Sequence, residues 1–140
     1  MNKPFVMEIL YATSVEELWD ALTDEARMRE WYFPQLKRFK PEIGFNFEFV
    51  DDGSRFQKEW RVTQIVEKRK VAHSWTYKGY SGESEVVFEL SAEGDKTRLK
   101  LTHFGLASFP QDPHFERSRF EAGWHNILGN NLKTHLKIPR

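Results

Sequence analysis

Hydrophobic residues recur along this chain with two different periods, and the last stretch carries the clearer one. From Asp112 to Ile138, Phe120, Trp124, Ile127, Leu128, Leu132 and Leu136 fall at i, i+4, i+7, i+8, i+12 and i+16. That spacing predicts one apolar stripe on a helix. Glu116, Arg117, Glu121, Lys133 and Lys137 take the opposite face. Asp112-Pro113 is a start signal, because the carboxylate can cap free N–H groups and proline fits the first helical position. Pro139 supplies the stop. A helix of roughly 25 residues would span about 37 Å, enough to cross a small domain.

The stretch before it alternates with a period of two. Met7, Ile9 and Tyr11 share one face of a first strand over residues 5–12. Ser14 and Glu17 then form a capping box, and Val15, Leu18, Trp19 and Leu22 predict a short helix over 15–22. Thr23-Asp24 can cap a second over 25–31, and Pro34 keeps the chain extended after it. Phe45, Phe47 and Phe49 alternate with polar neighbours, and Asp51-Asp52-Gly53 is a turn signal. Strands are expected over 56–66, 71–77, 84–90 and 97–104. One face of these strands carries Trp60 and Val62; Val71, His73, Trp75 and Tyr77; Val86, Phe88 and Leu90; and Leu99, Leu101 and His103. One apolar and one polar face throughout indicates an antiparallel sheet with one wet side. The expected fold class is α+β: a curved antiparallel sheet of about seven strands wrapped around a long C-terminal helix, with two short helices after strand one.

Composition narrows the function. The 140 residues suit a single domain over 1–140. Lys plus Arg and Asp plus Glu are 21 each, so no global field draws the chain to nucleic acid. There is no cysteine, hence no disulfide or thiolate chemistry. No apolar run resembles a signal peptide or a membrane span, and a soluble cytoplasmic protein is expected. The 12 Phe, 5 Trp and 4 Tyr supply large flat side chains to line or fill a cavity.

The element order, with particular residues, resembles the helix-grip fold of the START-like (SRPBCC) superfamily. Within it the chain is similar to the family named for the activator of heat-shock protein ninety ATPase. Residues Val15 to Asp24 followed by Trp31 resemble that family's first-helix signature. Gly44-Phe45 with Phe47, Ser74-Trp75, the strand Thr97 to His103, and Gly123-Trp124 with Leu128 and Leu132 match in the same order. Two positions depart: Ile43 stands where a second glycine is common, and Trp60 near where a small residue often begins the next strand. A tryptophan pointing inward there would shrink any pocket.

The resemblance implies a small apolar ligand held between sheet and helix. The residues expected to contact it are Phe47, Phe49, Trp60, His73, Trp75, Tyr77, Phe88, Leu101, His103, Trp124 and Leu128. Against this stands an ordinary filled core. A dry void of about 300 Å³, at about 24 cal/mol per Å³, would cost roughly 7 kcal/mol of a total stability of about 5–15 kcal/mol. Such a space holds water, holds a ligand, or is closed by aromatics. The resemblance also implies two alternatives. One is a chaperone-interacting module, although 140 residues leave no room for the second domain of the eukaryotic namesakes. The other is a cyclase- or hydratase-type enzyme using His73 or His103 as acid–base group.

Each histidine could equally be a core residue satisfied by backbone or by Tyr77. No catalytic pair is identifiable and no cofactor is called for. No H-x-x-x-H or H-E-x-x-H spacing supports a metal, and no nucleophile elbow or phosphate loop occurs. The basic run Arg27, Arg29, Lys37, Arg38, Lys40 reads as a solvated face. Gly123 and Gly129, costly inside a helix, mark either tight packing or room for a ligand beside Trp124. The chain is expected to be a monomer or a homodimer.

Overall fold

A computed structural model describes residues 3–137. β1 (Phe5–Tyr11) leads into α1 (Val15–Thr23) and α2 (Glu25–Trp31). Strands β2 (Leu36–Arg38), β3 (Glu48–Phe49), β4 (Lys58–Glu59), β5 (Val62–Val66), β6 (Lys70–Ser74), β7 (Thr76–Tyr77), β8 (Glu85–Glu93) and β9 (Lys96–Phe104) follow. Single 3-10 turns at Leu106–Ser108 and Pro113–Phe115 precede α3 (Arg117–Asn126), a π-helical turn (Ile127–Asn131) and α4 (Leu132–His135). The expected α+β, helix-grip arrangement is present. Among the described residues, no helix is long and apolar enough to cross a membrane.

The first helices form as their caps dictate. Ser14 Oγ accepts from the Glu17 N–H at 3.1 Å, and Asp24 Oδ2 from the Arg27 N–H at 3.0 Å. The Trp31 indole N–H then donates to the Ala21 carbonyl at 2.7 Å, tying α2 to α1. The arginines of the basic run are paired on the surface: Arg27 with Glu17 at 2.9 Å, Arg29 with Glu25 at 3.3 Å and Arg38 with Glu48 at 4.0 Å.

The main sheet is antiparallel, with five strands in the order β1-β9-β8-β6-β5, beside two-stranded ladders β2-β3 and β4-β7. The count differs from one seven-stranded sheet because two long expected strands break. The 56–66 stretch breaks at Trp60-Arg61, and the 71–77 stretch at Trp75. There the ladder gives way to single bonds between Arg61 and Ser74: the Ser74 N–H donates to the Arg61 carbonyl at 2.8 Å, and the Arg61 N–H to Ser74 Oγ at 2.9 Å. The two indoles at the breaks lie against each other, centroids 4.2 Å apart. β2 had no alternation to announce it; Leu36 is buried and pairs with Phe49.

The C-terminal helix departs from its expected form in two ways. Asp112 does cap, its Oδ1 accepting from the His114 N–H at 2.8 Å. It caps only one 3-10 turn, since Glu116 is extended (ψ 141°) and the α-helix starts at Arg117. The reason lies in two phenylalanines. On one helix Phe115 and Phe120 would be turned about 140° from each other. With the break, both rings stack on Phe109, at 5.3 and 5.7 Å. The second departure is the π turn. The stripe Phe120, Trp124, Leu128, Leu132 steps by four, and at 3.6 residues per turn each step drifts by about 40°. Widening one turn absorbs the drift: the Leu132 N–H bonds the Ile127 carbonyl, five residues back. Trp124, Leu128 and Leu132 are thereby all buried. The Tyr11 hydroxyl, from β1, donates to the Leu128 carbonyl inside that turn at 2.8 Å. The expected stop at Pro139 lies outside the described residues.

Candidate functional site

The space between sheet and helix is largely filled by rings. Tyr32, at the end of α2, lies within 6.5 Å of Trp31, Phe33, Trp60, His73, Trp75, Phe88 and Trp124, centroid to centroid. Two histidines are embedded here, and their partners define their tautomers. His73 Nδ1 lies 2.8 Å from the Ser74 carbonyl, which can only accept, so this nitrogen carries the hydrogen. Nε2 then accepts from the Tyr32 hydroxyl at 2.9 Å. His103 has the opposite tautomer. The Trp124 indole N–H donates to its Nδ1 at 3.0 Å, leaving the hydrogen on Nε2, 3.0 Å from Ser84 Oγ. Ser84 passes its own hydrogen to the Trp75 carbonyl at 2.6 Å. Burial holds both rings neutral, pushing His73 down to about 4 and His103 to about 3, the latter also lowered by His73. With every ring nitrogen engaged, neither histidine has a free lone pair or hydrogen for a substrate. The backbone partner of His73 matches one expectation; the side-chain partner is Tyr32 rather than Tyr77, which instead accepts from the Trp75 indole at 2.9 Å.

A cavity of about 220 Å³ opens beside the helix. Arg119, Phe120, Gly123, Trp124 and Ile127 form its helical wall; Phe33, Trp75, Tyr77 and His114 form the other. Gly123 makes it: a β-carbon there would have nothing within 4 Å. The glycine thus leaves room beside Trp124 rather than permitting tight packing. The His114 ring stacks flat on Phe56, centroids 3.6 Å apart, and its pKa is lowered by burial and by the charge of Arg119. The polar groups on these walls are few and placed among aromatic surface, the usual make-up of a small-molecule site.

Residues 12–137 match the family described as Activator of Hsp90 ATPase homolog 1-like protein. The chain belongs to this family. Among curated proteins none matches it. Solved structures share its fold. Protein MLL2253 of Mesorhizobium loti is 23% identical, with a TM-score of 0.74 over 96% of this chain and 97% of that one. CalU16 of Micromonospora echinospora is 26% identical, with a TM-score of 0.72 over 94% of this chain and 74% of that one. PFC0360w, an HSP90 activator from Plasmodium falciparum, is 22% identical, with a TM-score of 0.76 over 98% of each chain.

Within this member of the activator-homologue family, the expected ligand contacts separate into three groups. Trp75, Tyr77 and Trp124 line the cavity. Phe47, Phe49 and Trp60 border a different, more polar groove with Lys37, Lys58 and Lys78. His73, Phe88, Leu101, His103 and Leu128 lie in the packed core. Trp60 does point inward and closes space, as its departure from the family pattern implied. Its indole N–H is buried without a hydrogen-bond partner among the described residues. Phe33, His114, Arg119, Phe120 and Ile127 also line the cavity and escaped the sequence reading. Phe120 and Ile127 were recognised only as helix stripe. Phe33 sits in an irregular segment and His114 in a single 3-10 turn, where no period signals which way a side chain points.

Proposed function

We propose that the chain binds a small apolar ligand in the cavity beneath Gly123, against the rings of Trp75, Tyr77, Phe120 and Trp124. The observation that carries this reading is a cavity of about 220 Å³ walled by aromatic side chains where the helix has no side chain to fill it. It is smaller than the roughly 300–1,000 Å³ usual for drug-sized ligands, so one compact apolar body fits and an extended lipid does not. Trp60, Tyr32 and Phe47 occupy the rest of the space under the sheet, which confines the ligand to the end of the grip next to α3. Catalysis by His73 or His103 has no support in this geometry, since both are buried, neutral and fully bonded.

The test is the mass of freshly purified protein under non-denaturing conditions. Wild type should carry an excess that disappears on denaturation, and Gly123→Leu, whose side chain enters the cavity, should not. A bare mass in both, together with no change in the Trp75 and Trp124 indole signals on adding small aromatic compounds, would overturn the proposal.

The family description supports a second reading, contact with an Hsp90 chaperone. It predicts measurable binding to the chaperone of the same cell, unaffected by Gly123→Leu because the cavity is not the contact. Absence of binding by calorimetry at micromolar protein would remove it.

A further inference from the structure

The cavity walls are unbalanced in their polar groups. None of the nine lining residues is Asp or Glu. Arg119 is exposed at the mouth and, among the described residues, its guanidinium forms no ion pair. The neighbouring arginines are engaged: Arg117 with Glu121 at 2.8 Å, Arg55 with Asp112 at 3.9 Å. The Tyr77 oxygen accepts from Trp75, and its own hydrogen has no acceptor among the described residues. Burial raises its pKa, so it stays a donor. The Trp75 and Trp124 indole hydrogens are already used inward. A further cation, Lys58, lies half-buried over Phe33, 4.6 Å from the ring centroid, but lines the neighbouring groove rather than the cavity. Two carboxylates act on residues here, Asp52 on Lys58 and Asp112 on His114, and each is hydrogen-bonded elsewhere: Asp52 to Ser54 and Gln57, Asp112 to the His114 N–H and, by an ion pair, to Arg55. What remains toward the cavity is the Arg119 guanidinium, the Tyr77 hydroxyl hydrogen and the neutral His114 ring, with no carboxylate among the lining residues, over an apolar floor.

Resting on the binding role proposed above, we infer that the ligand is an amphipathic acid, its apolar body beneath Gly123 and its carboxylate accepting from Arg119 at the mouth. A guanidinium suits a carboxylate because its parallel N–H groups match the two oxygens. An ion pair at an exposed mouth contributes modestly, on the order of a fivefold gain in affinity, and salt weakens it. The apolar body supplies the rest.

The experiment compares two acids, naphthalene-2-carboxylate and octanoate, each with its neutral amide, by NMR titration of the Trp75 and Trp124 indole signals. In wild type each acid should bind about fivefold more tightly than its amide, with the difference shrinking at high salt. Arg119→Gln should weaken the acids about fivefold, close to the level of the amides, and weaken the amides by clearly less. Gly123→Leu should abolish binding of all four. Equal binding of acid and amide, or equal losses of both in Arg119→Gln, would overturn the inference while the ligand-binding role stands. No shift from any of the four compounds would overturn both.

Discussion

The two histidines show how much a single side chain depends on what it meets. Trp124 does more than fill space, because its N–H is the only donor that His103 Nδ1 receives among the described residues. Trp124→Phe should therefore cost about 1–3 kcal/mol more than Trp60→Phe, which removes a hydrogen that meets no acceptor among the described residues. Urea unfolding of the two variants checks this; equal losses would mean that the hydrogen bond carries no net weight. The same burial predicts acid sensitivity. In the unfolded chain the histidines titrate near the usual value of about 6.5, whereas in the folded chain they resist protonation until about 4 and about 3. As pH falls below that unfolded value, the unfolded state gains protons that the folded state refuses. Stability is then lost progressively down to the folded values, by at most about 1.4 kcal/mol per pH unit per histidine. Unfolding free energies at pH 7.5, 6 and 5 should decline, and the decline should be shallower in His73→Gln. A flat profile would contradict neutral buried histidines.

The helix shows what a run of residues decides together. Its apolar stripe was legible in the sequence, but the widening at Ile127–Asn131 was not, because the step of four reads as helical in any window. Only the demand that Trp124, Leu128 and Leu132 face one sheet exposes the drift. Tyr11→Phe removes the hydroxyl that holds the Leu128 carbonyl and should cost about 1 kcal/mol. Amide exchange over 127–132 should accelerate more than in the sheet, and uniform acceleration would argue against a specific tie. Two glycines behave oppositely for local reasons. Gly123→Ala meets open space in a helix and should stabilise by about 1 kcal/mol. Gly105 has φ +83°, and a β-carbon there would lie 2.3 Å from the Glu83 carbonyl oxygen, so Gly105→Ala should destabilise clearly, by about 2 kcal/mol or more. Thermal melts of the pair check both signs.

At the scale of the whole molecule, sheet and helix enclose a space that aromatic side chains mostly close. Tyr32, Trp60 and Trp75 remove the cost of a large void, and the remaining opening faces solvent, where water can occupy it. The fold of the family is thus kept while the open space between sheet and helix is reduced to one end. A second consequence concerns access. Because the cavity lies between α3 and the Phe33, Trp75 and Tyr77 side, entry of the proposed ligand would need no opening of the main sheet. Binding should proceed with β8 and β9 amide exchange unchanged; faster exchange there during turnover of ligand would indicate a deeper path.

The sequence by itself determined the α+β class, the order of elements, the caps of α1 and α2, and the inward faces of β6, β8 and β9. Those features are local: they rest on the period of apolar residues and on short-range hydrogen bonds. It also pointed to Gly123 and to both histidines as positions needing explanation. The tertiary structure alone decided which explanation holds. Tyr32 from α2 and Trp124 from α3 reach the histidines from far along the chain, and no spacing encodes those meetings. Trp60 and Trp75 break their strands because two indoles must share one place. The cavity exists where Phe33, Tyr77 and His114, on separate segments, surround a missing side chain. A void is a property of what several distant elements leave unfilled, so it is settled only when all of them are packed.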